Sequence, residues 1–174
     1  NNTFKISTKD GEVIEAKYVI NAAGLYGEEI HNLICKESFK IIPRSGQYFV
    51  LDKKQGDLVS HTIFQCPSKM GKGILVTPTV HGNLLVGPDA RDISDKEDLN
   101  TTSDGLNFVR ETSGLTTEKI NFRDSIRNFA GLRANSDRND FIVEENDEVK
   151  GFIDVVGMKS PGLTSAPAIA VDLS

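Results

Sequence analysis

Two glycine-bearing stretches near the C-terminus contain the residues best suited to chemistry. Gly131 is followed two positions later by Arg133 at what is predicted to be a strand end, and residues 157–164 read GMKSPGLT. A glycine leaves a gap in a side-chain surface, and a guanidinium pairs well with carboxylate or phosphate groups. The Pro-Gly pair predicts a turn before a helix that Thr164 or Ser165 can cap. Because a helix N-terminus carries unpaired N–H groups and partial positive charge, the pattern predicts a site for a flat, electron-poor or anionic ligand.

These residues also have purely structural interpretations. Arg133 is equally the kind of residue that forms a surface ion pair, the Pro-Gly turn can be a simple loop, and Lys159 can be a solvated charge. Arg127 shares the predicted face of Arg133, but six residues at about 3.3 Å each separate them by roughly 20 Å. Both cannot bind one small substrate, so Arg127 is interpreted as structural.

A third small-residue stretch lies near the N-terminus. A strand over Tyr18–Ile20 leads into Asn21-Ala22-Ala23-Gly24, and residues 25–34 have helical spacing of apolar side chains. Small residues at a strand-to-helix turn allow a ligand or another backbone to approach closely. The alternative is a plain packing turn.

The predicted strand over residues 39–52 places another set of polar groups together. Period-2 alternation puts Arg44, Gly46, Tyr48 and Val50 on one face, so that a notch is lined by a cation and a phenol. Tyr48 is also consistent with a packed aromatic residue. The proline in this run indicates a strand edge or a bulge.

The remaining pattern predicts many strands and few helices. Antiparallel strands set between a strand–helix unit and a strand–loop–helix unit indicate an α+β fold. Two hairpins are predicted, one pairing residues 4–8 with 13–17 and the other pairing 73–79 with 84–86. Further strands are predicted over 61–66, 125–133, 141–145 and 151–156. A helix over 104–113 is closed by Gly114, and residues 92–103 form a polar surface loop.

Composition excludes several classes of function. The chain has 174 residues, 38% hydrophobic residues and a formal net charge of −5, which is typical of a globular domain and unfavourable for nucleic-acid binding. No apolar run approaches the roughly 20 residues of a membrane span. Cys35 and Cys66 lack metal-ligand spacing, so we expect no metal site and a reducing, cytoplasmic location. His31, His61 and His81 fall on different elements, and no catalytic set is assigned.

The four motifs, taken in order, carry a family resemblance. VINAAG at 19–24, PRSGQY at 43–48, GLR at 131–133 and the 157–164 stretch resemble the FAD-dependent oxidoreductases of the D-amino-acid oxidase and glycerol-3-phosphate dehydrogenase superfamily. The similarity is greatest to the branch of glycerol-3-phosphate dehydrogenases and L-2-hydroxyglutarate oxidases. The family's GxGxxG fingerprint is absent, and the chain begins within a strand-like run and stops within a helical one. We therefore expect an internal piece of a longer protein, itself inactive and weak in FAD binding.

The resemblance implies a cofactor, FAD, and a set of site residues. It implies that Arg133 binds the substrate's carboxylate or phosphate, that Arg44 and Tyr48 are secondary pocket residues, and that the N-terminus of the last helix stabilises negative charge on the flavin. The implied cofactor-binding residues are Asn21, Ala22, Ala23, Gly24, Gly131, Lys159, Ser160, Pro161, Gly162, Leu163 and Thr164.

The resemblance also implies the domain plan and the activity. Residues 1–36 and 134–174 are expected in the FAD-binding domain and 37–133 in an antiparallel substrate-binding sheet. The expected reaction is hydride transfer to FAD from a small anionic alcohol, such as glycerol 3-phosphate or a 2-hydroxy acid, with an unassigned electron acceptor. Two alternatives stay open: an amino-acid or amine oxidase of the same superfamily, and a non-catalytic binding domain.

Overall fold

The computed structural model describes residues 3–66 and 73–174. Its strands are β1 Phe4–Ser7, β2 Val13–Ala16, β3 Val19–Asn21, β4 Ile41–Leu51, β5 Leu75–Pro78, β6 Leu84–Gly87, β7 Arg91–Asp92, β8 Ser125–Ser136, β9 Ile142–Glu145 and β10 Phe152–Val156. Its helices are α1 Gly27–Asn32, α2 Ser103–Ser113 and α3 Gly162–Asp172, with 3-10 turns at Gly24–Tyr26, Lys53–Leu58 and Phe122–Asp124.

Three sheets organise these elements. β1 and β2 form an antiparallel hairpin. In the second sheet β10 lies between β3, to which it is parallel, and β9, to which it is antiparallel. In the third the order is β5-β6-β4-β7, with antiparallel pairs throughout, and β8 also pairs with β4. Antiparallel and mixed sheets with few helices confirm the predicted α+β class.

Clustering of contacts divides the chain into two compact units. The first comprises Asn1–Pro43 and Arg133–Ser174, and the second comprises Arg44–Leu132. The chain passes between them within β4 and again within β8. The first boundary lies seven residues, and the second one residue, from the predicted domain limits. That one part binds the cofactor and the other the substrate stays a prediction.

The alternation predicted for β4 is present. Ser45, Gln47, Phe49 and Leu51 are buried, whereas Arg44, Tyr48 and Val50 are only partly buried. Gly46, predicted on the same face as Arg44 and Tyr48, is the exception, because it is buried. The apolar members of the buried set pack with β5, β6 and Val109 of α2 to form the core of the second unit. Thr102 caps α2, because its Oγ1 accepts a hydrogen bond from the Gly105 amide at 3.1 Å.

The first unit has a smaller core. It is formed by buried apolar residues of β4, β8, β9 and β10, together with a phenylalanine two positions before β4. They are Phe39, Ile41, Ala134, Ile142 and Val156. The sheet β3-β10-β9 therefore presents one face to this core.

Four sequence predictions about the elements are corrected. The predicted strand over 61–66 reduces to one bridge between Ile63 and Val76, because its side chains are largely exposed and give it no face to bury. Gly131 and Arg133 lie within β8 and not at a strand end. Gly114 follows the last residue of α2, as predicted, but its backbone is right-handed helical and does not form the left-handed cap that glycine usually provides.

The fourth correction concerns the start of α3. The helix begins at Gly162 with Pro161 in the cap position, and no side chain caps it. Thr164 Oγ1 instead donates to the Pro161 carbonyl oxygen at 2.8 Å. Thr164 is therefore the third residue of the helix, three positions after the cap. Within the described residues, no helix has both the length and the apolar character needed to cross a bilayer.

Candidate functional site

The turn after β3 is held by the side chain of the last residue of that strand. Asn21 is 2% exposed, and its Nδ2 donates to the Gly27 carbonyl oxygen at 2.8 Å and to Asp154 Oδ1 at 2.7 Å. Its Oδ1 accepts from the Ala23 amide at 3.4 Å. These bonds occupy the side chain of Asn21. If this stretch contacts the cofactor, as predicted, the contact is therefore made by the backbone and small side chains of residues 22–24.

The loop between β10 and α3 is equally tight. Gly157 has a φ of +71°, which favours glycine. The Lys159 amide donates to the Gly157 carbonyl oxygen at 2.9 Å, and the Gly162 amide donates to the Lys159 carbonyl oxygen at 2.6 Å. Lys159 is partly buried, whereas Ser160, Pro161, Leu163 and Thr164 are exposed. The loop delivers the N-terminus of α3 next to the end of β10, as the sequence predicted.

The glycines of the predicted site fall into two groups. A methyl group at Gly24 or Gly131 would meet no heavy atom of the described residues within 4 Å. A methyl group at Gly157 would lie 3.0 Å from both the Asp140 carbonyl oxygen and Ser136 Cβ, and one at Gly162 would lie 3.4 Å from Met158 Cβ. Open space therefore borders Gly24 and Gly131, whereas a side chain at Gly157 would be crowded and one at Gly162 would make ordinary van der Waals contact.

Arg44 is engaged by a carboxylate that the sequence placed on a solvated loop. Its Nε and Nη2 donate to the two oxygens of Asp92 at 2.5 and 2.9 Å, across the pair of strands β4 and β7. Hydrogen bonding to Asp92 raises the pKa of the Arg44 guanidinium. Arg44 stays a predicted substrate residue, although two of its five N–H donors are already bonded to Asp92.

Tyr48 and Arg133 differ in how far their surroundings define a role. The Tyr48 ring stacks on Phe129, with centroids 4.9 Å apart and planes at 9°. That stacking favours the packed-aromatic interpretation of Tyr48. Arg133 is partly buried on β8, two residues from the open face of Gly131. Its predicted role in binding the substrate anion stays a prediction.

Sequence reasoning missed one buried polar cluster. Asp154 lies within the apolar strand β10 and is 1% exposed, and its Oδ2 is 2.7 Å from Nδ1 of the equally buried His31. The signal was present: a charged residue stands between Ile153 and Val155 in a strand that is otherwise apolar. Burial, followed by the nearby carboxylates of Asp154 and Glu148, raises the pKa of the Cys35 thiol. Across residues 3–66 and 73–174, no three His, Cys, Asp or Glu side chains are grouped to hold a metal ion.

Comparison with known proteins decides the family. The model of the "FAD dependent oxidoreductase" family matches residues 1–174. The chain belongs to this family. It is 56% identical, over 95% of its length, to a glycerol 3-phosphate dehydrogenase of Caloramator mitchellensis, of which it covers 34%. It is 36% identical, over 90% of its length, to a glycerol 3-phosphate oxidase of Mycoplasma genitalium, of which it covers 41%.

A solved structure agrees with the sequence relatives. The L-α-glycerophosphate oxidase of Mycoplasma pneumoniae, dithionite-reduced and with FAD bound, matches 97% of this chain with a TM-score of 0.83 and 33% identity. The chain covers 47% of that protein. It therefore spans between a third and a half of the length of these relatives. The predicted family and its cofactor, FAD, are confirmed.

The residues present fit such a cofactor. The backbone at Gly24 and Gly131 borders open space, which suits a flat or extended group lying against the chain. The N-terminus of α3 offers N–H groups and partial positive charge to an anionic part of that group. Which residues touch FAD stays a prediction, and the fit concerns each segment by itself.

Proposed function

We propose that the protein containing this chain is a FAD-dependent dehydrogenase or oxidase of glycerol 3-phosphate. One observation carries the proposal: the similarity to glycerol 3-phosphate dehydrogenase and oxidase runs through 90–95% of the chain. The alcohol of this substrate is oxidised at C2 to the ketone dihydroxyacetone phosphate. FAD, when bound, accepts the hydride from that carbon.

The domain plan forms part of the proposal. Residues 1–36 and 134–174 contribute to the FAD-binding domain, and 37–133 form the substrate-binding sheet. Within the first part, the backbone from Ala22 to Gly24 and the loop from Lys159 to Thr164 hold the cofactor. The helix dipole of α3 supports negative charge beside its first turn.

The substrate anion is assigned to Arg133. A guanidinium offers two parallel N–H donors, which match two phosphate oxygens and fix the orientation of the molecule. Fixing the phosphate in turn limits the positions that the C2–H bond can take, and orientation of this kind contributes a large part of an enzyme's rate. Arg44 and Tyr48 are proposed to shape the remainder of the pocket. We assign no catalytic base.

The test is a substrate panel on the full-length protein. It is purified, its cofactor is released and identified by absorbance and chromatography, and steady-state oxidation is measured with glycerol 3-phosphate, L-2-hydroxyglutarate, a D-amino acid, glycine and glycerol. We expect bound FAD and turnover of glycerol 3-phosphate only. Turnover of an amino acid alone identifies an amino-acid oxidase, and absence of FAD rejects the enzyme proposal.

A second measurement tests the assignment of the substrate anion to Arg133. Arg133→Leu removes the charge, whereas Arg133→Lys keeps it without the bidentate geometry. Loss of a charged hydrogen bond costs about 1.5–3 kcal/mol, so KM for glycerol 3-phosphate should rise about 10- to 150-fold in Arg133→Leu. Arg127→Leu on the same strand is the matched control and should leave KM unchanged. Equal kinetics for wild type and Arg133→Leu would reject the assignment of Arg133.

A further inference from the structure

Asp154 is the centre of a buried polar network in the first unit. Its Oδ1 accepts a hydrogen bond from Asn21 Nδ2 at 2.7 Å, and its Oδ2 is 2.7 Å from His31 Nδ1. All three side chains are at most 2% exposed. One carboxylate thereby connects three elements: β10, which carries it, the turn after β3, and α1.

The hydrogen atoms of this network can be placed from its acceptors. His31 Nε2 lies 2.8 Å from the Lys36 carbonyl oxygen, which can only accept, so Nε2 carries a hydrogen. Ser38 Oγ lies 3.2 Å from the same nitrogen. At 2.7 Å, Nδ1 and Asp154 Oδ2 must also share a hydrogen, because two facing lone pairs would repel. Both carboxylate oxygens of Asp154 thus have partners, which a buried carboxylate requires.

The network connects two segments that are predicted to bind the cofactor. Asp154 stands three residues before Gly157, where β10 gives way to the loop that starts α3. Asn21, its cross-strand neighbour in the parallel pair of β3 and β10, clamps the turn from Ala22 to Gly24 through the Ala23 amide and the Gly27 carbonyl. Removing the carboxylate would therefore remove the side-chain link between the turn and β10, the strand that leads into the loop.

We propose that Asp154 is a positioning residue for FAD: it fixes the turn after β3 relative to the loop after β10 and so sets the affinity for the cofactor. The proposal rests on the proposed function, in particular on both segments contacting FAD. Asp154 itself is 1% exposed and is not proposed to touch the ligand. Its effect passes through the hydrogen bond to Asn21.

Two substitutions separate positioning from charge. In Asp154→Asn the amide oxygen can accept from Asn21 and the amide nitrogen can donate to His31 Nδ1, so both links survive without the charge. In Asp154→Leu, which keeps the branched shape with methyl groups in place of the two oxygens, both links are lost. We expect the Kd for FAD, measured by flavin fluorescence on apoprotein of the full-length enzyme, to rise about tenfold or more in Asp154→Leu, as expected for one lost charged hydrogen bond. It should change less than about threefold in Asp154→Asn.

A control distinguishes positioning from general destabilisation. Ile142→Ala opens a cavity in the core of the same unit, at a residue 2% exposed, without removing a member of the network. It should lower thermal stability as Asp154→Leu does, yet leave the Kd for FAD near the wild-type value. Hydrogen exchange of the apoprotein provides a second readout: Asp154→Leu should speed exchange at residues 22–27 and Ile142→Ala should not.

The possible outcomes have different meanings. Wild-type protein that binds no FAD would reject the proposed function. Wild-type protein that binds FAD, with Asp154→Leu and Ile142→Ala alike in Kd, would overturn the positioning role. If Asp154→Leu does not fold, Asn21→Ser breaks only the link to the turn and keeps the His31 pair. Its Kd should then rise, and an unchanged Kd overturns the inference.

Discussion

The contact between Gly27 and Val156 provides a quantitative test of how α1 is placed against β10. A methyl group added at Gly27 would overlap Cγ1 of Val156 and lie 3.0 Å from its Cβ. Gly27 is buried, and Val156 is 0% exposed in the core of the first unit. A change of the Val156 rotamer would move Cγ1 but leave Cβ in place, and the surrounding core leaves the side chain little room to turn. We therefore expect Gly27→Ala to destabilise the protein even though it favours a helix.

The expected magnitudes follow from the packing. Overpacking in a core costs about 1–3 kcal/mol, from which a gain of up to about 1 kcal/mol for alanine in a helix is subtracted. Val156→Ala alone removes two buried methyl groups and should cost about 1.5–3 kcal/mol. In the double variant the overlap with Cγ1 disappears and the methyl of residue 27 fills part of the cavity. The double variant should be more stable than the sum of the two changes by about 1 kcal/mol.

The assay is a double-mutant cycle by urea denaturation, followed by far-UV circular dichroism. Val155→Ala on the opposite face of β10 is the matched control, and combined with Gly27→Ala it should be additive. If Gly27→Ala with Val156→Ala is additive within about 0.5 kcal/mol, the contact does not determine how the helix packs. A stabilising Gly27→Ala would contradict the packing more directly.

Three further predictions concern local features of the structure. Gly56→Ala should lower the free energy of unfolding by more than about 1 kcal/mol, because the new methyl would overlap the Gly82 carbonyl oxygen, a backbone atom; urea denaturation checks this. The alkylation rate of Cys35 should reach its midpoint at higher pH than that of a peptide thiol, because burial and then Asp154 raise its pKa. The folded protein holds that proton more tightly than the unfolded chain, so the contribution of Cys35 to stability is present at low pH and falls as pH rises through the thiol range; an alkylation midpoint equal to the peptide's would refute it. Thr102→Ala should cost about 0.5–2 kcal/mol through loss of the α2 cap, and Thr102→Ser much less, as thermal denaturation would show.

Patterns set by burial were predictable from the sequence. The alternation in β4, both hairpins and α2 follow from where apolar residues must lie, and the structure places them accordingly. The predicted strand over 61–66 was wrong because local β-propensity was not matched by a face to bury, and only Ile63 finds a partner. Local propensity therefore predicted an element correctly only where the element also had an apolar face to bury.

Polar partners were not predictable in the same way. The bond between Asn21 and Asp154 joins residues 133 apart in the chain, and that between Arg44 and Asp92 joins residues 48 apart. No local pattern encodes such a pair, because it depends on which strands are neighbours and in what register. The motif order gave the family nonetheless, since glycines and small turns are local requirements. The predicted contacts of Arg133 and of α3 with ligands stay predictions.

The proposed function requires that glycerol 3-phosphate reduces FAD bound to the full-length protein. An anaerobic titration of the purified full-length protein with glycerol 3-phosphate tests this step, with the flavin absorbance and the dihydroxyacetone phosphate formed both followed. We expect the absorbance to bleach fully, with one dihydroxyacetone phosphate formed per flavin, and we expect glycerol without the phosphate to leave the absorbance unchanged. A flavin that keeps its absorbance with excess glycerol 3-phosphate would contradict the proposed function.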